Sequence, residues 1–235
     1  MRRALQFVGG LGVALFAVAA WVYLTLPDVR PLRTVNPATT AFQDLRAEEA
    51  RAKGLPVKKR QQWVPIGRIS RELQRAVTIA EDDAFWQHEG IDFNQLQESI
   101  ETDLMKGRMA RGGSTITQQL AKNLYLSPSK NPFRKLRELL ITRRLEAELP
   151  KRRILEIYLN VIEWGDGIWG AEAAAQAYFH TSAASIGTSD AALLAGSIPN
   201  PRHMNPGKVT PGLKKRQQII LKRMGGSTET DEELK

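Results

Sequence analysis

The chain has 235 residues, of which 42% are hydrophobic, enough for one sizeable domain and an appendage. It contains no cysteine, which excludes a disulfide framework, a thiolate metal site and a lipidated-cysteine anchor. The net charge is +9, and the spacing of the three histidines is not that of a zinc site.

The first predicted element is an uncharged apolar stretch over residues 4–26, preceded by two arginines. As a helix it would be roughly 35 Å long, against about 30 Å of bilayer hydrocarbon. The arginines should stay in the cytoplasm and place the rest of the chain outside it. Ala17-Val18-Ala19 also fits a signal-peptide cleavage site, but the apolar stretch continues through residues 21–24. We therefore predict that residues 1–30 form a cytoplasmic N-terminus and an uncleaved transmembrane helix.

Residues 31–60 are rich in proline, arginine and alanine, and their weak periodicity predicts a stalk or linker. The next segment, 61–225, shows one helical pattern after another and no sustained alternation, which predicts a mainly α domain. Residues 226–235 are predicted to be a polar tail. The expected helices end near Glu81 or begin at Asp92, Ser114, Asn131-Pro132, Pro150, Ser189 and Thr210-Pro211.

The most informative stretch runs from residue 80 to residue 92 and contains five acids, one histidine and two aromatic residues. The apolar spacing before it places Glu81 near a helix C-terminus, where an acid opposes the helix dipole. A solvated acidic turn would be the ordinary explanation of such a stretch. Three later motifs favour a functional explanation instead.

The second motif, residues 111–123, has two glycines followed by Ser114 and Thr115 at a predicted helix start, which is a natural anion site. Gln118 and Lys122 are four residues apart and are expected to share one helix face. A glycine turn with a simple helix cap is the alternative.

The third and fourth motifs are charged helical segments. In residues 134–138, Arg134 and Lys135 can both pair with Glu138, although such a pair is also common on protein surfaces. In residues 151–160, Glu156 and Asn160 are four residues apart on an amphipathic helix. Residues 120–160 hold ten basic and four acidic residues, a net charge of +6 that suits phosphate or an anionic membrane surface. Nucleic acid is the weakest choice for a domain expected outside the cytoplasm.

Together and in this order, the four motifs resemble glycosyltransferase family 51, the peptidoglycan glycosyltransferases. The resemblance covers about residues 60–225. It implies a lysozyme-like, two-lobed fold and an enzyme without a transpeptidase domain. Ser127-Pro128-Ser129-Lys130 spells the Ser-x-x-Lys of such a domain, but its other motifs are absent from the sequence.

The substrate implied by the resemblance is lipid II, which accepts the growing lipid-linked glycan on a sugar 4-hydroxyl. The product is a β-1,4 linkage formed with inversion, and undecaprenyl diphosphate leaves. Glu81 is implied as the general base and Glu138 as a second essential carboxylate. The implied substrate-binding and supporting residues are Ser114, Thr115, Gln118, Lys122, Lys130, Arg134 and Lys135, with Asp82, Phe85, His88, Glu156 and Asn160 as support.

The resemblance requires no cofactor and leaves open a Mg2+ ion at the pyrophosphate; no protein ligands for a metal are predicted. It implies the bacterial inner membrane with the domain in the periplasm, and lipid II, the bilayer and other cell-wall or division proteins as partners. Two alternatives stay open at this point. One is a lysozyme-like enzyme that cuts glycan, and the other is a non-catalytic membrane scaffold of a division complex.

Overall fold

The computed structural model describes residues 20–93, 113–126 and 132–226, together with residues 10, 16–18 and 97. Within these residues the protein is mainly helical, as predicted, with one small sheet. The helices α1 to α8 span Ala41–Ala52, Arg71–Glu81, Ile116–Tyr125, Pro132–Glu148, Lys151–Val161, Ala171–Phe179, Thr188–Ser197 and Pro211–Gly226. The strands β1 to β3 span Arg60–Gln61, Glu163–Gly165 and Ile168–Trp169.

Helix α5 is the centre of the fold. Seven of its eleven residues are buried, including the fully buried Ile154 and Tyr158, so apolar contacts surround most of the helix. It begins directly after Pro150, which has no N–H to lose at a helix start. Helix α3 packs against α1, α4 and α5, and α7 packs against α2 and α8. The cleft described below lies between these two groups of helices.

The sheet is small because each strand has only two or three residues. Strand β3 lies in the middle, parallel to β1 and antiparallel to β2. The side chain of Asn160, at the end of α5, fixes the chain that follows β1. Its Oδ1 accepts from the Val64 backbone N–H at 2.9 Å, and its Nδ2 donates to the Val64 carbonyl at 2.9 Å.

Residues 31–60, predicted as a stalk, are packed against the body of the domain. Leu32 and Gln43 are buried, and Arg46 on α1 donates to the buried Glu163 carboxylate of β2 at 3.1 Å. Leu32 thus packs in the core, and Arg33, Arg46 and Lys58 pair with acids of the domain, whereas Val35, Leu55 and Val57 are exposed. The weak apolar periodicity of residues 31–60 gives no indication of this packing in the sequence.

The chain before this segment also contacts the domain. Residues 20–24 are helical, and the Arg144 guanidinium of α4 lies 4.5 Å from the centre of the Tyr23 ring. Arg137, two turns earlier on α4, donates to the Thr25 carbonyl at 2.9 Å. The described part of the N-terminal region therefore lies along α4.

The helices predicted from apolar spacing are confirmed where the structure describes them. Helix α2 ends at Glu81, and α3 starts one residue later than expected because Thr115, rather than Ser114, caps it. Helix α7 starts at Thr188, one residue before the predicted Ser189. Helix α6 was not predicted, because its alanine-rich sequence has little periodicity.

Several predictions lie outside the described residues. They are most of the helix expected after Asp92, most of the apolar stretch over residues 4–26, Lys130 and all but the first residue of the polar tail. Among the residues that are described, no helix has both the length and the apolar character needed to cross a membrane.

Gly170 provides a test of this packing. Its φ angle is +80°, and an added Cβ would lie 2.6 Å from the Asn160 carbonyl oxygen, where α5 meets α6. We expect Gly170→Ala to lower the free energy of unfolding by at least about 2 kcal/mol, because backbone cannot move aside as a side chain can. Thermal unfolding measures this. Gly67→Ala is the control, since nothing lies within 4 Å of a Cβ there, and an equal loss in both variants would contradict the packing argument.

Candidate functional site

An open polar cleft of about 1040 Å³ lies between the C-terminal end of α2, the start of α3 and helix α8. The loop that follows α7 forms its remaining wall. The residues that line it include Glu81, Ser114, Gln119, Lys122, Asn200 and Arg216. A second cavity of about 390 Å³ adjoins it and shares Gln119, Lys122 and Asn200. Because the two cavities share these residues, they could together hold an extended substrate.

Glu81 lies in this cleft because the buried stripe of α2 fixes the direction of the helix. Leu73, Ala76 and Val77 are fully buried, and Ser70 caps the helix by accepting from the Leu73 N–H at 3.2 Å. Glu81, the last residue of α2, keeps 11% of its side chain exposed. The carboxylate is therefore almost enclosed but still open to the cleft.

The surroundings of Glu81 act on its charge in opposite directions. Burial is the largest effect and raises the pKa of Glu81. A hydrogen bond from Gln119 Nε2 to Glu81 Oε2, at 2.9 Å, lowers the pKa, as do the charges of Arg216 and Lys122. Asp82 raises it slightly. The net result is a pKa raised above the ordinary value for glutamate, which suits a group that takes up a proton during the reaction.

The neighbouring acid, Asp82, is structural and is 1% exposed. Its Oδ2 accepts from the Ile116 backbone N–H at the start of α3, and its Oδ1 accepts from His88 Nε2, both at 2.8 Å. His88 Nδ1 accepts from the Gly90 N–H at 3.0 Å, so the ring proton is on Nε2. Asp82 thus joins the end of α2 to the start of α3.

Phe85 is fully buried beside this turn. Its ring centre is 5.0 Å from that of Trp86, and Lys151 Nζ lies 4.5 Å from the Phe85 ring centre. Asp82, Phe85 and His88, the predicted supporting residues of this motif, thus all contact the turn that follows Glu81.

The predicted substrate-binding residues at the start of α3 separate into two groups. Ser114 lines the cleft. Thr115 and Gln118 face the protein and form a capping box, in which the Thr115 Oγ1 accepts from the Gln118 N–H at 3.2 Å and Gln118 Oε1 accepts from the Thr115 N–H at 3.1 Å. Thr115 also donates to the Gly90 carbonyl at 2.8 Å. Residues 111 and 112 of the glycine turn lie outside the described residues.

The third motif forms an ion cluster on α4. Glu138 is 4% exposed and accepts from Arg134 Nη1 at 3.0 Å and from Lys135 Nζ. Lys122 on α3 interacts electrostatically with Glu138 and with both cations. Partial loss of hydration in the cleft is the main reason that the pKa of Lys122 is lowered, although much of the residue is exposed to solvent. The cluster lies next to the cleft through Lys122.

Glu156 and Asn160 of the fourth motif lie away from the cleft. Glu156 Oε2 accepts from the Ile66 backbone N–H at 2.8 Å, and its other oxygen accepts from Arg153. Asn160 holds Val64, as described above. The structure thus places both residues where they support the chain between β1 and α2.

Three residues that contact Glu81, directly or through Gln119, were not predicted from the sequence. Gln119, adjacent to the predicted Gln118, is the glutamine that contacts Glu81. The Tyr158 hydroxyl donates to Gln119 Oε1 at 2.8 Å. Arg216 on α8 places Nη2 3.9 Å from Glu81 Oε1. The paired glutamines were a signal for the first, whereas no local pattern indicated Arg216.

No group of three or more histidine, aspartate or glutamate side chains that could hold a metal ion occurs in the described part of the chain. Glu138, the acid within the cation cluster, already accepts from two cations. The described side chains therefore do not fit a dedicated metal site.

Comparison with known proteins agrees with the motifs. A family model described as "Transglycosylase" matches residues 48–225. A "Biosynthetic peptidoglycan transglycosylase" of Dechloromonas aromatica is 51% identical over 190 residues, covering 81% of this chain and 82% of that protein. Proteins of the same name from Aromatoleum aromaticum and Chromobacterium violaceum are 55% and 47% identical, covering 71% and 95% of this chain and 73% and 96% of their own lengths.

The matched region contains every described residue of the cleft, and it begins at residue 48, inside the segment predicted as a linker. The chain therefore belongs to the transglycosylase family, glycosyltransferase family 51, which its four motifs resemble.

Proposed function

We propose that Glu81 is the general base with which this enzyme polymerises the glycan chains of peptidoglycan. The observation that carries the proposal is the position of Glu81: a nearly enclosed carboxylate, with cationic and amide groups around it, at an open polar cleft. The acceptor is the sugar 4-hydroxyl of lipid II, and the donor is the growing lipid-linked chain. Polymerisation fits the family better than glycan cleavage or a scaffold role.

In the proposed step, Glu81 takes the proton of the acceptor 4-hydroxyl. At the same time the oxygen of that hydroxyl attacks C1 of the donor sugar. The new C–O bond forms as the bond from C1 to the diphosphate breaks, and the electron pair leaves on undecaprenyl diphosphate. Attack from the face opposite the leaving group inverts C1 and gives a β-1,4 linkage. No covalent enzyme intermediate is needed.

The leaving diphosphate requires positive charge at the other side of the reaction centre. Lys122 lines the cleft, and Arg134 and Lys135 lie in the cluster around Glu138. We assign these three cations to the diphosphate and Glu138 to holding them in place. Lys130 belongs to the same proposal by its sequence motif. Ser114 is the proposed direct contact to substrate, while Thr115 and Gln118 fix the helix start from which it extends.

The proposal requires no cofactor. A divalent cation such as Mg2+ would be held by the diphosphate oxygens, since the described side chains offer no ligand set of their own.

The cellular setting is also a proposal. Residues 4–26 would anchor the chain in the inner membrane and place the two-lobed, lysozyme-like domain in the periplasm. Both substrates carry polyprenyl chains that stay in the bilayer, so catalysis at the membrane surface is the arrangement they require. Lipid II, the lipid-linked glycan, the bilayer and other cell-wall or division proteins are the proposed partners.

Removal of the Glu81 charge tests the base directly. We expect Glu81→Gln to lower turnover of labelled lipid II on the order of 100-fold or more, because an amide cannot take the proton. Separation of the glycan products measures the activity, and binding of lipid II should persist. The control is Glu89→Gln, which removes an acid of the same motif whose side chain is 84% exposed. A Glu81→Gln enzyme with a tenth of normal turnover would reject the assignment.

The cation assignment is tested at Lys122. We expect Lys122→Ala to slow turnover sharply, by an amount equivalent to a few kcal/mol, because negative charge develops on the diphosphate in a partly enclosed cleft. Binding of lipid analogues that keep the diphosphate should weaken, whereas binding of sugar-only fragments should change little. Lys214→Ala, on the exposed face of α8, is the control. Equal weakening of both ligand types would show that Lys122 contacts sugar or supports structure.

The raised pKa of Glu81 predicts the acidic side of the pH profile. The base must be ionised to act, so kcat/KM should fall as pH drops through the Glu81 pKa. Because burial raises that pKa, the fall should begin at a higher pH than an ordinary glutamate would give. Initial rates of polymerisation from pH 4 to pH 8 measure it. A profile that stays flat down to the ordinary glutamate range would contradict the predicted environment.

A further inference from the structure

The Tyr158 hydroxyl reaches the wall of the cleft from the centre of the fold. Tyr158 lies on α5 and has no exposed surface, and its hydroxyl donates to Gln119 Oε1 on α3 at 2.8 Å. The same amide donates through Nε2 to Glu81 Oε2 on α2 at 2.9 Å. One hydrogen-bonded chain therefore crosses three helices and ends on the proposed base.

The direction of this chain depends on the charge of Glu81. A carboxylate only accepts hydrogen bonds, so an ionised Glu81 requires the N–H side of the Gln119 amide. The amide oxygen then faces Tyr158, where the hydroxyl can donate to it. If the amide turned over, its oxygen would face the carboxylate oxygen and repel it. A donor behind the amide thus favours the orientation that stabilises the charged form of Glu81.

Packing alone does not account for a tyrosine at this position. A phenylalanine would fill the same apolar space, and a buried hydroxyl is costly unless it is hydrogen-bonded. Burial, with smaller contributions from Glu81 and Asp82, raises the pKa of Tyr158 well above its ordinary value. The hydroxyl therefore keeps its proton over the whole range in which the enzyme would work, and it remains a donor.

We propose that Tyr158 is a positioning residue for glycosyl transfer: its hydroxyl fixes the Gln119 amide so that the amide N–H holds the Glu81 carboxylate ionised and aimed at the cleft. Tyr158 acts through Gln119 and does not touch the reacting atoms. The inference rests on the proposed role of Glu81 as general base. It adds Gln119 on α3 and Tyr158 on α5 to the residues on which the action of Glu81 depends.

Other groups also act on Glu81 and have to stay constant in a test. Lys122 faces it from α3 and Arg216 from α8, and both stabilise its charge. Asp82, next to it in the chain, opposes the charge. Neither Tyr158 nor Gln119 carries a charge, so their replacement by uncharged residues leaves these three groups and their charges in place.

The primary test is the pH profile of Tyr158→Phe, with kcat and KM measured separately on labelled lipid II. Loss of the hydroxyl removes one of the contacts that orient the Gln119 amide, leaving only a long hydrogen bond from Nε2 to the Ser114 carbonyl, at 3.4 Å, beside the one to Glu81. The hydrogen bond from Gln119 to Glu81 is then weakened. We expect the acidic side of the kcat profile to move up by about 0.5 to 1 pH unit. At pH values on this acidic side, called the acidic limb below, kcat should fall roughly 3- to 10-fold, with KM unchanged. Thermal unfolding checks that the variant is folded.

Tyr178→Phe is the matched control. The Tyr178 hydroxyl is also partly buried, but it donates to the Trp164 carbonyl at 3.0 Å, away from Glu81. Its loss should leave the pH profile in place. A uniform loss of activity at all pH values in Tyr158→Phe, with an unchanged limb, would mean a structural role and would overturn the proposal. A change in KM alone would place Tyr158 in substrate contact and would overturn it as well.

A second variant keeps the proposal testable if Tyr158→Phe is unstable. Gln119→Met removes the amide with little change in shape, and we expect it to move the limb at least as far as Tyr158→Phe. In the double variant, loss of the hydroxyl should add no further shift, because the two residues act in series. Additive shifts, or an unmoved limb in Gln119→Met, would overturn the inference.

The activity of Glu81→Gln distinguishes a failure of the proposed base from a failure of the positioning role of Tyr158. An active Glu81→Gln enzyme would overturn both the assignment of Glu81 as general base and the inference about Tyr158. An inactive Glu81→Gln enzyme combined with an unmoved limb in Tyr158→Phe removes only the inference.

Discussion

The buried carboxylate of Asp82 joins the two helices between which the cleft lies. One of its oxygens accepts from the first N–H of α3 and the other from His88, so both are used within the protein. A buried carboxylate without such partners would be strongly destabilising. Because Asp82 follows Glu81 directly, this interaction sets the distance from Glu81 to α3. The contacts of Glu81 with Gln119 and Lys122 depend on it.

The sequence was sufficient to predict many residues of the site, but not the residues that contact Glu81 from within the protein. Apolar spacing correctly places Glu81 at a helix end, and the acidic motif next to it indicates chemistry. Helical spacing also grouped Gln118 with Lys122, yet the structure uses Gln118 in the capping box and presents Gln119 to Glu81. Two adjacent glutamines at a helix start cannot be distinguished by period alone, since capping competes with facing the cleft.

Arg216 shows a different limit. It comes from a basic helix about 135 positions after Glu81, and only the packing of α8 against α2 and α7 brings it near. Its backbone contact, from Nε to the Gly196 carbonyl at 2.9 Å, fixes it there. A single sequence carries no local sign of such long-range contacts.

The first two turns of helix α4 reverse the usual relation between polarity and burial. Glu138 is 4% exposed, whereas Phe133 and Leu136 are 60% and 45% exposed. The burial of Glu138 is possible because Arg134 and Lys135, on the preceding turn, supply the charges that it needs. A hydrophobic-inside rule fails only for these first two turns, since Ile141 and Leu145 further along α4 are fully buried. The exposed apolar residues give the same helix an apolar surface beside its charged cluster.

The contacts of α4 with the N-terminal region have a mechanical consequence. Arg137 and Arg144 hold residues 23–26 against the same helix that carries Glu138 and its cations. If residues 4–26 anchor the chain as proposed, the cleft cannot swing freely on a tether above the bilayer. The anchor then sets the height of the cleft above the bilayer and its tilt relative to the membrane plane. A polymer made at such a site has to slide past a stationary reaction centre.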